Sequence, residues 1–121
     1  MYPICETVTL YRPTGPKELE KIRACKFRAF PPRLPGQPFF YPVLYPDYAL
    51  QIARDWNAKS TEGVGYVTRF EVRAFYLCRY PIRTIGSYRH KEYWIPAEDL
   101  EEFNRNIIGE IEIIAEFRKD N

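Results

Sequence analysis

The sequence predicts a single α+β domain with a mainly antiparallel sheet and a few helices packed on it. Three observations favour this class. Segments with two-residue alternation occur near both ends and in the middle of the chain, short segments with helical spacing lie between them, and no repeat, low-complexity tract or linker divides residues 1–121. A chain of 121 residues is long enough for one hydrophobic core.

The first predicted strand covers residues 7–12, and its inner face ends in a charged side chain, Arg12. Val8 and Leu10 share that face, because side chains two residues apart point to the same side of a strand. The alternation therefore predicts that Arg12 points to the interior or to a cleft, where it needs a partner. The partner could be an internal carboxylate such as Glu71 or Glu92, or it could be a ligand.

Two helices are predicted in the first half of the chain, on either side of a proline-rich loop. Proline at the first helical position and apolar residues at helical spacing predict a helix from Pro16 to about residue 27. Four prolines in residues 30–38 predict an extended connector. Residues 46–57 predict a second helix whose buried stripe is Tyr48, Ala49, Ile52, Ala53 and Trp56.

The second half of the chain predicts mostly strands. Residues 65–72 alternate over the length of a full strand, and residues 75–80 and 82–85 resemble two shorter strands interrupted at Pro81. A short helix is predicted at residues 97–104, and a last strand is predicted at residues 111–117. The bulky run before that helix, residues 89–97, contains one carboxylate, Glu92, directly after three basic residues.

Composition excludes several classes of protein. The net charge is +2, so a strong attraction to nucleic acid is not expected. Three cysteines without metal-type spacing favour reduced thiols. No basic leader followed by an apolar run occurs, and no window approaches the ~20 apolar residues of a membrane span. We therefore expect a cytoplasmic protein that does not enter a membrane.

Common chemical motifs are absent. The sequence contains neither GxGxxG nor GxxxxGK[ST], so a Rossmann or P-loop phosphate site is not supported. A single histidine, His90, excludes multi-histidine metal centres, and no metal site is predicted. Three features remain: Arg12 at the end of the first strand, the tyrosines around the second helix, and Glu92 on a late strand.

This arrangement resembles the ADP-ribosyltransferase fold over nearly the whole chain. The similar motifs are Leu10-Tyr11-Arg12 on the first strand, Tyr48-Ala49 on a helix, Glu92 on a late strand, and the passage 104–111 into the last strand. The sequence is also similar to small bacterial proteins labelled "ADP-ribosylation/crystallin J1". A histidine at position 90 and the run 39–43 depart from the patterns common in such proteins.

The resemblance implies a transferase, specifically a glycosyltransferase, that uses NAD as substrate and passes ADP-ribose to an unidentified acceptor, taken as a protein. Glu92 would be the catalytic carboxylate, because cleavage of the nicotinamide–ribose bond develops a cation that a carboxylate stabilises. Arg12 would bind the nucleotide through its planar fork. Tyr41 is the preferred ring to stack on nicotinamide, and Tyr48 is a second candidate whose helical spacing also fits a core residue.

Two alternatives remain open at this stage. The first is a catalytically inactive domain of the same fold that binds a protein or a nucleotide through the cleft or through the aromatic residues 39–41. The second is an RNA-modifying relative that uses NAD against a phosphate end, although such relatives usually contain more basic residues and histidines. An enzyme requires Arg12 and Glu92 to face one pocket, whereas a binding domain requires neither.

Overall fold

The computed structural model describes residues 6–119, which form an α+β fold with antiparallel sheets and four α-helices. The three long strands are β1 (Thr7–Thr14), β3 (Val64–Arg73) and β7 (Ile107–Arg118). The short strands are β2 (Phe39–Phe40), β4 (Ile82–Thr84), β5 (Lys91–Tyr93) and β6 (Ile95–Pro96). The α-helices are α1 (Pro16–Ala24), α2 (Pro46–Ile52), α3 (Ala74–Leu77) and α4 (Leu100–Arg105). A π-helical turn (Ala53–Asn57) continues α2, and a 3-10 turn (Ala97–Asp99) precedes α4.

The central sheet has the strand order β1-β3-β7, and both strand pairs are antiparallel. Leu10 of β1 lies opposite Phe70 of β3, and both side chains are fully buried in the main core. Aromatic rings from outside the sheet, Phe30, Phe40 and Phe103, complete this core in tilted or edge-to-face contacts. Alternation thus places the apolar face of the sheet against the helices α1 and α4.

Val43 extends the sheet beyond β1. Its N–H donates to the carbonyl of Tyr11 at 2.8 Å, and its carbonyl accepts from the N–H of Tyr11 at 2.9 Å. The same residue bridges to Glu92 in β5, and β5 pairs with β4 as a hairpin. The segment 42–44 therefore connects the central sheet to the strand that contains Glu92, since the N–H of Leu44 donates to the carbonyl of Lys91 and the N–H of Tyr93 donates to the carbonyl of Pro42.

The other face of the sheet is covered by α2 and its π-helical turn. Ala49, Ala53, Val43 and Val67 form a small second core there. Gly65 makes this contact possible, since a Cβ at that position would lie 2.3 Å from the carbonyl oxygen of Ala53. The backbone of the π-helical turn therefore packs directly on β3.

The predicted strands at residues 7–12, 65–72 and 111–117 are confirmed, with bounds extended by one to four residues at one or both ends. The strand predicted at residues 82–85 is confirmed over Ile82–Thr84. The helices predicted near residues 16, 46 and 97 are also present. The helix predicted to reach residue 27 instead ends at Ala24, because Lys26 and Phe27 adopt positive φ.

The strand predicted at residues 75–80 is wrong, because this segment begins with the helix α3. In this helical turn the buried residues are Ala74, Tyr76 and Leu77, and the exposed ones are Phe75 and Cys78. Over so few residues, the apolar pattern of a helix cannot be distinguished from the alternation of a strand.

The predicted burial of Trp56 is also wrong, since its side chain is 75% exposed. A π-helical turn advances fewer degrees per residue than an α-helix, so Trp56 leaves the buried stripe that α-helical spacing predicts.

Within residues 6–119, none of the helices is long and apolar enough to cross a membrane. Cys25 and Cys78 are free and exposed, and Cys5 lies outside the described residues.

Candidate functional site

A cleft of about 480 Å³, here called the Glu92 cleft, opens beside β5 and includes three of the four predicted site residues. Its lining includes the side chains of Arg12, Tyr41, Asn57, Ile85, Glu92 and Trp94. Arg12 comes from β1, Glu92 from β5, and Tyr41 from the segment between β2 and Val43. The structure therefore places Arg12, Tyr41 and Glu92 around one space, while Tyr48 is not among the residues that line it.

Glu92 lies in the middle of the three-residue strand β5, opposite Arg83 of β4. The indole N–H of Trp94 donates a hydrogen bond to Glu92 Oε1 at 3.1 Å. Burial raises the pKa of the Glu92 carboxyl from its ordinary value, and the hydrogen bond from Trp94 opposes that rise. Glu92 is therefore a partly desolvated acid whose position is fixed by a neighbouring ring.

Aromatic side chains form one wall of the cleft. The rings of Tyr41 and Trp94 meet edge to face at 5.6 Å, and Phe39 packs behind both of them. The guanidinium of Arg83 lies 4.8 Å from the centre of the Trp94 ring. Such a wall offers a flat, rigid surface to a planar ligand.

Arg12 is almost fully buried and forms a two-point ion pair with Glu18 in the first turn of α1. Its Nε and Nη2 donate to the two carboxylate oxygens at 2.6 and 2.8 Å. Burial alone would raise the pKa of Glu18, but the charge and hydrogen bonds of Arg12 lower it below the ordinary value. The guanidinium also lies 4.6 Å from the centre of the Phe40 ring.

The partners suggested for Arg12 from the sequence, Glu71 and Glu92, are therefore wrong. Glu71 lies on the opposite face of the sheet and accepts hydrogen bonds from the hydroxyls of Thr7 and Thr9. Glu18 is only six residues from Arg12, and the short connection between β1 and α1 brings the two together.

Tyr48 stacks on His90, with ring centres 4.2 Å apart and planes 10° from parallel. It also packs against the second core on α2, which agrees with its helical spacing. Burial, and then the charge of Glu92, raise the pKa of the Tyr48 hydroxyl. Tyr48 therefore lies outside the Glu92 cleft and is stacked on the residue that directly precedes β5, and its role as a ring that contacts nicotinamide stays a prediction.

A second cleft of about 530 Å³, here called the basic cleft, adjoins the first one. Its walls include Lys17 and Lys21 of α1 and Arg33 of the proline-rich loop. Burial and the nearby charge of Arg12 lower the pKa of Arg33, whose Nε donates to the carbonyl of Phe39 at 2.8 Å. Because Glu18 is already paired with Arg12, the cations of this cleft exceed its free carboxylates, and the cleft favours an anion.

Arg12 and Asn57 line both clefts. Asn57 is the last residue of the π-helical turn, and its Oδ1 is buried without a hydrogen-bond donor among residues 6–119. An unpaired buried acceptor of this kind costs about 1–3 kcal/mol.

Sequence reasoning missed Asn57, Arg33, Glu18 and Trp94. Trp94 alone had a usable signal, because it follows Glu92 by two residues and so shares its face of the strand.

No group of three or more metal-binding side chains occurs within residues 6–119. Comparisons of the chain with models of protein families, with curated proteins and with solved structures found no match.

Proposed function

We propose that this chain has an ADP-ribosyltransferase-like fold, binds NAD, and transfers ADP-ribose to an acceptor that is itself a protein, in the cytoplasm. The observation that supports the proposal is that Arg12, Tyr41 and Glu92, which lie far apart in the sequence, line one cleft. The cleft combines a fixed carboxylate with an aromatic wall, as a site for a planar cationic ring requires.

Glu92 acts on the bond between the nicotinamide nitrogen and C1′ of the ribose. As that bond breaks, its electron pair leaves with nicotinamide, and positive charge develops on C1′ and the ring oxygen. A carboxylate near this charge lowers the energy of the transition state, and partial burial strengthens the effect because less water screens it. The acceptor then supplies an electron pair to C1′ and loses a proton.

The basic cleft receives the two phosphates of the dinucleotide. Arg33, Lys17 and Lys21 provide the positive charge there, and Arg12 stands at the boundary with the Glu92 cleft. Two of the guanidinium nitrogens of Arg12 already contact Glu18, so its main contribution is to shape this boundary and to hold α1 against β1.

A catalytically inactive domain that binds a nucleotide in the same two clefts is the second candidate. The observation that favours it is that Glu18 engages Arg12 and so weakens its capacity to bind a ligand. The two candidates differ in turnover and not in binding, which makes them separable in one set of measurements.

The test compares wild type with Glu92→Gln in two assays: NAD binding by calorimetry, and release of nicotinamide with and without added cell lysate. The substitution keeps the size of the side chain and an acceptor for the Trp94 N–H but removes the charge. We expect NAD affinity to change little and turnover to fall by roughly 100-fold or more.

Glu71→Gln is the matched control, because Glu71 is also a hydrogen-bonded, partly buried strand carboxylate but lies outside the clefts. It should leave turnover unchanged. Wild-type protein that binds NAD without releasing nicotinamide would favour the inactive domain. Protein that does not bind NAD would refute the transferase and leave only an inactive domain with another ligand.

A further inference from the structure

Arg33 is held in one orientation by its loop and by one of its own nitrogens. The loop, residues 30–38, includes four prolines, which restrict the backbone. Its first residue is fixed on both sides, since the N–H and the carbonyl of Phe30 bond to the side-chain amide of Asn104 at 2.9 and 3.0 Å. At the other end of the loop, the Nε of Arg33 donates to the carbonyl of Phe39 at 2.8 Å. The guanidinium is therefore oriented before any ligand binds.

The two terminal nitrogens of Arg33, Nη1 and Nη2, are unpaired and accessible. Within residues 6–119, the Arg33 side chain forms a hydrogen bond only through Nε. The one side-chain nitrogen or oxygen in this part of the chain that is both unpaired and fully buried is Asn57 Oδ1, so both Nη atoms are open to solvent. Burial, and then the like charge of Arg12, lower the pKa of Arg33, and the charge of Glu18 opposes them. Arg12 and Glu18 both line the basic cleft, and charges act strongly only at short range, so the guanidinium itself lies at that cleft.

The carboxylates of the cleft do not neutralise Arg33. Glu18 is engaged by Arg12, whose Nε and Nη2 bond to both of its oxygens. Glu62, the other carboxylate of the cleft, is exposed and belongs to no ion pair within residues 6–119. A partly buried cation that lies near a like charge and has no carboxylate partner is disfavoured in the free protein. An anion in the cleft would compensate that charge.

We propose that Arg33 is the phosphate-recognition residue of the basic cleft, and that its Nη1 and Nη2 bind two oxygens of one phosphate group. Arg33 thereby takes the anchoring role that the sequence predicts for Arg12. The inference deepens the proposed function and rests on it for the source of the phosphate, which is the diphosphate of NAD.

The other cations of the cleft favour a phosphate over a carboxylate. Lys17 and Lys21 are exposed on α1, whereas Arg33 comes from the proline-rich loop. A carboxylate has two oxygens in one plane, which the fork of a single arginine satisfies. A phosphate has oxygens in several directions and a larger charge, so it can contact the fork and an ammonium group together. The lysines are point charges on flexible stems, so they attract the anion without fixing its orientation.

The experiment measures binding of inorganic pyrophosphate, ADP-ribose and succinate by calorimetry, and the melting temperature of each protein without ligand. Arg33→Lys keeps the charge but removes the fork, whereas Arg33→Gln keeps an N–H donor for the Phe39 carbonyl but removes the charge. We expect both variants to lose at least about 10-fold in affinity for pyrophosphate and ADP-ribose. Arg33→Gln should melt no lower than wild type, because it removes a partly buried charge without a partner. Wild type should bind succinate, a dicarboxylate, at least about 10-fold more weakly than pyrophosphate.

Lys21→Gln is the matched control, because it removes one positive charge from the same cleft but no fork. It should lose less than about 3-fold in affinity for either phosphate probe. Equal losses in Lys21→Gln and Arg33→Gln would overturn the inference, since the cleft would then act only through its total charge. Wild-type affinity in Arg33→Lys, or equal binding of succinate and pyrophosphate, would also overturn it. A lower melting temperature in both Arg33 variants would assign this residue a structural role.

The outcomes for Arg33 and for the transferase are separable. If wild type binds pyrophosphate and ADP-ribose but releases no nicotinamide from NAD, the transferase proposal fails, and the Arg33 variants still decide this inference. Release of nicotinamide by a wild type that binds neither phosphate probe would overturn the inference alone. If wild type neither binds these probes nor releases nicotinamide, both proposals fail.

Discussion

The ion pair between Arg12 and Glu18 should contribute far more to stability than a surface pair does. The two side chains are only 11% and 21% exposed, and both carboxylate oxygens are engaged at 2.6 and 2.8 Å. Removal of one partner leaves the other charge buried without compensation, which costs about 3–5 kcal/mol. We therefore expect Arg12→Met and Glu18→Leu each to destabilise the protein by about that amount.

The double variant should be no less stable than either single variant, because no unpaired charge remains. The coupling energy between the two positions should then be at least about 3 kcal/mol, the upper end for residues in contact. Urea unfolding of the four proteins at pH 7 gives the free energies needed for this cycle.

The exposed pair Arg69–Glu112 provides the comparison, since its side chains are 41% and 61% exposed. Its coupling energy should be below about 1 kcal/mol. If the Arg12 cycle also gave less than 1 kcal/mol, or if both single variants were as stable as wild type, the reasoning from burial would be refuted.

The pair also predicts a pH dependence. Arg12 lowers the pKa of Glu18 in the folded protein below its ordinary value of 4.5, so the unfolded chain binds the proton more tightly. The stability that the pair provides should therefore be fully present above pH 4.5 and should be lost as the pH falls through the lowered pKa. Glu18→Leu should abolish this part of the acid dependence.

Three further predictions follow from other parts of the structure. Glu92→Gln should raise the melting temperature at pH 7, because burial disfavours the ionised form of Glu92 and raises its pKa in the folded protein. This gain should disappear below pH 4.5, and a lower melting temperature at pH 7 would contradict the prediction. Gly65→Ala should lower the free energy of unfolding by about 1–3 kcal/mol, because the new Cβ would clash with the carbonyl of Ala53. Gly86→Ala, which strains only a positive φ, should lower it less, and equal unfolding free energies of the two variants would argue against the close packing at Gly65. Trp56→Ala should change the unfolding free energy by no more than about 0.5 kcal/mol, and a loss of 3 kcal/mol in urea unfolding would show that its ring is buried.

The regular elements were largely predictable from the sequence, because their signals are local. Alternation in residues 65–72 correctly predicts the strand β3, and Pro46 correctly predicts the start of the helix α2. Both patterns depend on neighbouring residues only. The α3 segment shows the limit of such signals. In four residues, burial of one face of a helix and of one face of a strand give similar patterns.

The candidate site was predictable in part for the same reason. The direction of Arg12 follows from strand alternation, and a late-strand carboxylate facing the same cleft agrees with the structure. The partner of Arg12 was not predictable, because the path of the chain from β1 into α1 decides which carboxylate reaches it. The spacing of apolar residues in 46–57 fits a regular α-helix and does not reveal the π-helical turn at its end. Neither the exposure of Trp56 nor the position of Asn57 could therefore be predicted.

The bridge through Val43 has a consequence for the order in which the protein folds. The hairpin of β4 and β5 closes a short loop and can form early, but the contacts of Val43 with Tyr11 and with Glu92 join segments far apart in the chain. Closing long loops costs entropy before any contact compensates for it, so such pairings form slowly. We therefore expect the Glu92 cleft to be among the last features to form, after the hairpin that contains the carboxylate and the strand that contains Arg12 have each formed separately.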